Sequence, residues 1–417
     1  MKYEINKLNI THSKIFFILM YFSLIVGFFL DENSAGGAKK DFYSTFFIIE
    51  EFSKNFLDGF KILINSNNPH FPLHYIILGE LHRYINNIEI LRFLILNINI
   101  LIPFFFYKCL TKILPKIRNE QALLFSTIIF ISPYFRSSAI WATTDNTALL
   151  FFLISVFFFL QIKEKNNSYL CFLISIIFLG LAALSRFYYI IFFSYFSYGL
   201  IKNNKIKKNL LTIILFAFLF LTPSIGYYIL TKSKINNFLT DNLINNLYLN
   251  ISILLFYLIP LIANSKKNII NFFNFLKENK KLFLIITLIS LILIFKFNYF
   301  NKNYGGGFFF QIIKYYFHKD IQIYIFYVSC LLGIAATCYI IKNTLNNFIL
   351  ILIFFISFNY MIVYQKYFEP LFFITLFTLF YNVANKFFDK YFIKNFVFIF
   401  LYFFSFLVIC ILKNSNI

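Results

Sequence analysis

Residues 15–42 read IFFILMYFSLIVGFFLDENSAGGAKKDF. The run from 15 to 30 carries no charge, and an apolar run of that length predicts a helix that enters a bilayer. Two carboxylates, Asp31 and Glu32, leave that helix directly. Small residues follow from Ser34 to Ala38, and Gly36 and Gly37 allow the backbone to approach a ligand closely. A third carboxylate, Asp41, closes the stretch. Carboxylates at a membrane boundary are costly unless they meet water, cations or substrate, so this loop reads either as a solvated helix end or as a site. Asp31 and Glu32 also stand where a signal-peptide cleavage site would need small residues, and the first span therefore reads as a retained anchor.

The pattern recurs along the chain. Apolar spans are predicted at 15–30, 88–106, 121–135, 141–162, 169–185, 187–201, 210–230, 249–264, 282–297, 321–341, 347–364, 368–385 and 395–412. The expected fold is all-α: a polytopic transmembrane helical bundle of about thirteen spans forming one membrane domain over 1–417, with its first external loop at 31–87. Spans 121–135 and 187–201 are short, and the spacing predicts that they are tilted, broken or re-entrant. Composition agrees. Of 417 residues, 60% are hydrophobic and 13% charged, about half the charge of an ordinary soluble protein, which excludes a soluble globular domain and a disordered chain alike. The 65 Phe fit AT-rich coding and lipid-facing filler, and with it a bacterial host.

The net charge of +21 is not a nucleic-acid signature, because it is sorted by side. The side holding the N-terminus carries 22 of the 38 Lys and Arg and five of the 17 acids. The positive-inside rule then places the N-terminus in the cytoplasm and the loop 31–87 outside, in a multi-pass protein of a bacterial inner membrane with a periplasmic site. The other twelve acids are not required by that rule and suggest that something external needs carboxylates. The five Cys are scattered without metal or redox spacing, and no phosphate-binding loop, dinucleotide pattern or His-rich tract appears. No cofactor and no divalent metal is indicated.

Within the external loop, Phe42, Phe46, Ile49, Phe52, Phe56 and Phe60 recur at helical spacing, with Glu50, Lys54, Asp58 and Lys61 between them. This predicts one amphipathic helix lying in the interface and roofing a cavity. Asn67-Asn68-Pro69-His70-Phe71-Pro72-Leu73-His74-Tyr75 follows, a turn whose two His either contact phosphate or metal or simply anchor the turn. Further along, Arg136, Trp141, Asp145 and Asn146 share one external link, where Asp145 and Asn146 also suit a helix N-cap. Arg186 is the sole charge between Lys165 and Lys202, and a lone Arg between apolar spans must snorkel or meet an anion. Lys366 and Glu369 sit between two late apolar runs, either pairing with each other or facing a cavity. The loop holding Gly305-Gly306-Gly307 is a connector or a flexible cover.

In this order, the Asp31-Glu32 pair after the first helix, the amphipathic loop helix and the Pro-His-Phe-Pro-Leu-His-Tyr turn resemble the GT-C glycosyltransferases, which use polyprenyl-phosphate sugars. Arg136, Trp141, Thr144-Asp145-Asn146, Ser185-Arg186-Phe187 and Lys366-Tyr367-Phe368-Glu369-Pro370 look like the eukaryotic α-1,2-glucosyltransferase branch that finishes the N-glycan precursor. That branch has Arg-Gln where this chain has Arg186-Phe187. The resemblance implies transfer of a single sugar from a polyprenyl-phosphate donor to an acceptor hydroxyl on a glycan, lipid or protein, at the external face and with inversion. It implies a catalytic base at Asp31, with Glu32 or Asp41 as substitutes. It implies donor-phosphate contacts from Arg186, Arg136 and Lys366, and substrate contacts from His70, His74, Trp141, Asp145, Asn146 and Glu369. Two other classes fit a polytopic chain: a lipid-linked oligosaccharide flippase or transporter, and a polysaccharide polymerase or ligase. Transporters often carry internal repeats and mid-membrane charges, whereas here no repeat is visible and the acids cluster outside.

Overall fold

In the computed structural model the described residues are 10–66, 68, 70–114, 117–162, 168–201, 221–231, 242–302, 304–342, 344–380, 383–388 and 391–414. They are overwhelmingly helical, with no extended strand among them. Among the described residues, six helices are long and apolar enough to cross a membrane: Ile10–Phe29, Ile88–Ile113, Thr144–Gln161, Leu243–Ala263, Lys319–Ile341 and Phe392–Asn414. This is an integral multi-pass membrane protein. The other expected spans are shorter or broken. Span 282–297 is the 15-residue helix Lys280–Ile294, span 368–385 divides into Leu371–Thr378 and Val383–Phe387, and residues 210–220 of span 210–230 lie outside the described residues.

By its contacts the chain, read above as one membrane domain, divides into two compact units: Met1–Ile235 with Phe403–Ile417, and Asn236–Tyr402. The first unit begins with α1 (Ile10–Phe29), α2 (Ala38–Lys54), α3 (Phe56–Asn65), α4 (Leu73–Ile85), α5 (Ile88–Ile98), α6 (Leu101–Ile113) and α7 (Asn119–Ser126). It continues with α8 (Pro133–Ile140), α9 (Thr144–Gln161), α10 (Ser168–Ser185), α11 (Phe192–Ile201) and α12 (221–231). Helices α9 and α10 pack intimately because Ser155 and Ser175 are small and each hydroxyl donates to the other's backbone carbonyl, at 2.6 and 2.9 Å.

The short span at 121–135 is broken. After α7, a 3₁₀ turn (Thr127–Ile131) runs into Ser132-Pro133, where the chain bends by 73°. Pro133 cannot supply the amide that would continue the preceding helix, and Ser132 caps the next one by accepting from the Phe135 amide at 3.2 Å. Span 187–201 is likewise a 3₁₀ turn, Phe187–Ile191, followed by α11.

The single amphipathic helix expected over 42–60 is corrected to two. Asn55 turns to φ −150° and its side chain accepts from the Leu57 and Asp58 amides, ending α2 and restarting the chain as α3. A short amide side chain offers the backbone an alternative acceptor, which periodicity alone cannot register. Phe42, Phe46, Ile49 and Phe52 are buried as the spacing requires, whereas Phe56 is exposed. Helix α4 lies across α2 at Gly79, where a Cβ would come 2.4 Å from the Phe52 Cβ, and α3 folds back on the Phe52 ring at Gly59. Phe52 therefore clamps the three loop helices together.

The second unit contains α13 (Leu243–Ala263), α14 (Lys266–Glu278), α15 (Lys280–Ile294), α16 (Gly307–Tyr316), α17 (Lys319–Ile341), α18 (Leu345–Ser357), α19 (Leu371–Thr378) and α20 (Val383–Phe387). Helix α21 (Phe392–Asn414) closes the chain. Helix α17 meets α13 at Gly333, where a Cβ would lie 2.7 Å from the Ile251 carbonyl oxygen. The Gly305–Gly307 connector runs at positive φ, and the Gly306 amide donates to the Val363 carbonyl at 2.7 Å, tying two connectors together.

Substituting Gly79→Val should overpack the α2–α4 contact and cost about 1–3 kcal/mol. The expected outcome is faster proteolysis between residues 55 and 72 and a lower melting temperature in detergent. An unchanged melt would refute the clamp.

Candidate functional site

A small, partly open cavity of about 20 Å3 lies beside α2. Asp41, Phe42, Thr45 and Ile49 of α2 line it, with His70, His74 and Tyr75 from the turn into α4, Ala142, Thr143 and Thr144 at the start of α9, and Arg186 beyond α10. Four segments that are distant in sequence thus converge on one space.

Arg186 follows the last turn of α10, where its amide donates to the Ala182 carbonyl at 2.8 Å. It is only 8% exposed. A guanidinium so far from water needs partners. One nitrogen makes an ion pair with Asp145 Oδ1 at 2.7 Å, and Nη1 donates to His70 Nδ1 at 2.7 Å. Arg has no acceptor to offer, so the His70 ring accepts at Nδ1 and carries its proton on Nε2. Asp145 sits in the first turn of α9, but it serves as the anion beside Arg186 rather than as the helix cap; Thr143 occupies the cap position.

Asp41 lies in the first turn of α2, where the helix dipole favours a carboxylate. It is half-buried. Across the cavity the Tyr75 hydroxyl accepts from Asn68 Nδ2 at 2.7 Å, and burial pushes the phenol up to about 12, so it stays a protonated donor at neutral pH. His74 is fully inside. Its Nε2 donates to the Ala142 carbonyl at 2.9 Å, which leaves Nδ1 to accept from the Thr147 hydroxyl at 2.8 Å. Both ring nitrogens are thereby engaged by protein, and His74 braces α4 against the start of α9. Burial pushes its imidazole down to about 4, with the Ala142 hydrogen bond opposing. The Thr144 hydroxyl, also in the cavity wall, is buried without a hydrogen-bond partner among the described residues. Asn67 and Pro69 of the same turn lie outside the described residues.

The expectation that Asp31 shares a pocket with Arg186 is corrected. Asp41 lines the Arg186 cavity, and Asp31 does not. Asp31 turns its backbone to φ 51°, and its carboxylate meets Arg92 at 3.3 Å and Lys39 at 3.5 Å. Glu32 is held in a two-pronged contact with Arg136: Nε donates to Oε1 at 2.7 Å and Nη2 to Oε2. The same guanidinium donates to the Ser23 hydroxyl, the Ser23 carbonyl and the Phe130 carbonyl. Arg136 is thus saturated as the brace between α1 and α8, which replaces its expected role as a phosphate ligand. Gly27 makes room for it, since a Cβ there would lie 2.5 Å from Glu32 Oε2.

Trp141 is buried, donates from its indole nitrogen to the Glu32 carbonyl at 2.9 Å, and stacks under the Arg92 guanidinium at 3.7 Å. Asn146 donates to the Phe135 carbonyl at 3.0 Å and is likewise structural. In the second unit, Glu369 is buried and accepts from the Tyr257 hydroxyl at 2.8 Å, and Lys366 lies 5.5 Å from the Tyr364 ring. Sequence reasoning missed Arg92, which is 1% exposed and also donates to both Glu89 oxygens at 2.9 Å. Its signal was available: it is the sole Arg inside an expected apolar span.

Residues 82–227 match the family model described as dolichyl-phosphate-mannose-protein mannosyltransferase, a GT-C type. The match supports a GT-C superfamily membrane glycosyltransferase. No curated protein matches the chain, and no solved structure does. The matched stretch includes Arg92, Arg136, Trp141, Asp145 and Arg186 and begins after the loop helices that carry Asp41. It supports a polyprenyl-phosphate-sugar glycosyltransferase kind of activity.

Two measurements test these assignments. Glu32→Ala should leave Arg136 a buried charge without its carboxylate and cost about 3–5 kcal/mol, read as a large fall in melting temperature; an unchanged melt would remove the brace. His74 supplies a pH signature. Its folded imidazole lies below the ordinary 6.5, so on acidification the unfolded chain takes up this proton first. The stability it contributes is complete above about pH 6.5 and is lost as pH falls from there towards 4. The melting temperature should therefore drop between pH 6.5 and 5, and His74→Gln should lose that part of the slope.

Proposed function

We propose that this cavity transfers one sugar from a polyprenyl monophosphate to an acceptor hydroxyl, with Asp41 as general base and Arg186 as the anchor of the leaving phosphate. The observation that carries the reading is that a half-buried carboxylate and a buried guanidinium line the same cavity, on segments otherwise far apart. Asp41 thereby takes the role that the sequence resemblance assigned first to Asp31.

In the proposed step the acceptor oxygen attacks the anomeric carbon as the Asp41 carboxylate takes its proton. The bond between that carbon and the phosphate oxygen breaks, and its electron pair leaves with the phosphate. The sugar inverts in a single displacement. Negative charge on Asp41 is lost as negative charge on the leaving polyprenyl phosphate grows, and Arg186 stabilises that growth with charge-assisted hydrogen bonds. Thr144 and Tyr75 add neutral hydroxyls to the wall. The proposed step draws its positive charge from Arg186, so activity is expected to survive chelation with EDTA, and its loss on chelation would add a divalent metal to the scheme. Lys366 and Glu369 take no part in the step.

The site is proposed to face outward. With the basic residues concentrated on the N-terminal side, α1 delivers the loop 31–87 to the far face of the membrane. A membrane-impermeant maleimide should label Lys39→Cys but not Lys267→Cys in intact cells when the five native Cys are replaced; the reverse pattern would overturn the orientation.

Catalysis is tested with radiolabelled polyprenyl-phosphate mannose, the first donor to try given the description of the matched family. Asp41→Asn should insert normally and lose about 10²–10⁴-fold in kcat. Arg186→Ala should weaken donor binding, and Arg186→Lys should recover only part of it. Normal turnover by Asp41→Asn together with an inactive Asp31→Asn would return the base to Asp31. Movement of the lipid without transfer would make the protein a transporter.

A further inference from the structure

The cavity raises a question of charge that the transfer step alone does not answer. The donor is a phosphodiester and carries one negative charge. The product is a phosphomonoester and carries about −1.5 to −2 at neutral pH. A site built as a simple cationic patch would hold its product more tightly than its donor. Here the guanidinium that lines the cavity is matched by a carboxylate at 2.7 Å and by a ring nitrogen that accepts, not donates, at 2.7 Å. Asp145 is itself only partly exposed, so its charge is poorly screened, and it is anchored in the first turn of α9. Of the residues lining the cavity, Arg186 carries the positive charge and Asp41 the negative one; Asp145 is not in the lining and reaches the site through its ion pair with Arg186.

We propose that Asp145 is a specificity-determining residue that sets the ratio of product to donor affinity at Arg186, holding the guanidinium in place while denying the site the net positive charge that would retain a dianionic lipid phosphate. This rests on the function proposed above and deepens it. Donor binding needs one directed cation and neutral hydrogen bonds, which Arg186 and the buried Thr144 hydroxyl in the cavity wall provide. Transfer adds a second negative charge to a phosphate held by a guanidinium whose own charge is already matched by Asp145, in surroundings where like charges repel more strongly than in water. The product is thereby expelled by the chemistry that creates it. Asp145 touches neither the anomeric carbon nor the acceptor in this scheme; it acts through Arg186.

The test is equilibrium binding of two non-transferable probes, farnesyl monophosphate and its methyl diester, at pH 8 in detergent. The wild-type protein should bind the diester at least as tightly as the monoester. Asp145→Asn, which keeps the shape and removes the charge, should tighten the monoester by tenfold or more and the diester by threefold or less. Asp145→Glu, which keeps the charge, should preserve the wild-type ratio. If Asp145 served only to hold the fold, both probes would weaken together in Asp145→Asn, and that result would overturn the inference while leaving the proposed function intact. A wild-type protein that prefers the monoester at pH 8 would overturn it without recourse to any variant. A wild-type protein that binds neither probe would refute the lipid-phosphate site itself, and this inference with it.

Discussion

A guanidinium excluded from water must have its charge matched, and three such groups organise the first unit. Arg92, Arg136 and Arg186 are all buried, and each meets a carboxylate: Arg92 with Asp31 and Glu89, Arg136 with Glu32, Arg186 with Asp145. Leaving any of them alone would impose a desolvation cost that no single apolar contact offsets. The geometry of the loop after α1 follows from this requirement. Asp31 and Glu32 are adjacent in sequence but turn to different arginines, and the positive φ at Asp31 is the local backbone consequence.

The three pairs differ in what surrounds them. Arg136 and Glu32 are enclosed by the Ser23 and Phe130 backbone and by Gly27, and they hold α1 to α8. Arg92 is sandwiched among Trp141, Phe28 and the Ile140 carbonyl, fixing the same corner from the side of α5. Arg186 lines the cavity beside α2, and Asp41 lines it as well. Two braces and one site are thus made from the same chemical unit, and the distinction is the empty space beside it. Phe52, gripped by Gly59 and Gly79, keeps α2 seated over that space, so the apolar clamp of the loop and the polar chemistry beneath it depend on each other.

Much of this was legible in the residues. Long uncharged runs identify membrane helices because a bilayer admits little else, and the sorting of Lys and Arg gives an expected orientation. The carboxylates after α1 and the isolated Arg186 were visible as costly residues requiring explanation. Less legible was the partner of each. The family resemblance implied a phosphate contact for Arg136, yet Glu32, about a hundred positions away, engages it. Asn55 looked like one more polar position on a helix until its side chain captured two amides. The His70 and His74 pair read equally as ligand contacts or as anchors of their turn, and only the fold shows a carbonyl and a hydroxyl holding both nitrogens of His74.

The sequence by itself determined the solvent of this protein: a chain with so many apolar runs and so few charges must bury its backbone polar groups as helices in lipid. It also determined which residues would be expensive, because charge in such a chain is rare enough to stand out one residue at a time. Only the tertiary structure decided how those charges were matched, since pairing depends on which turns meet in space and not on spacing along the chain. That is why Asp41 rather than Asp31 lies across from Arg186: both carboxylates follow the same helix, but one begins the amphipathic helix that covers the cavity, and the other is drawn aside by a buried arginine.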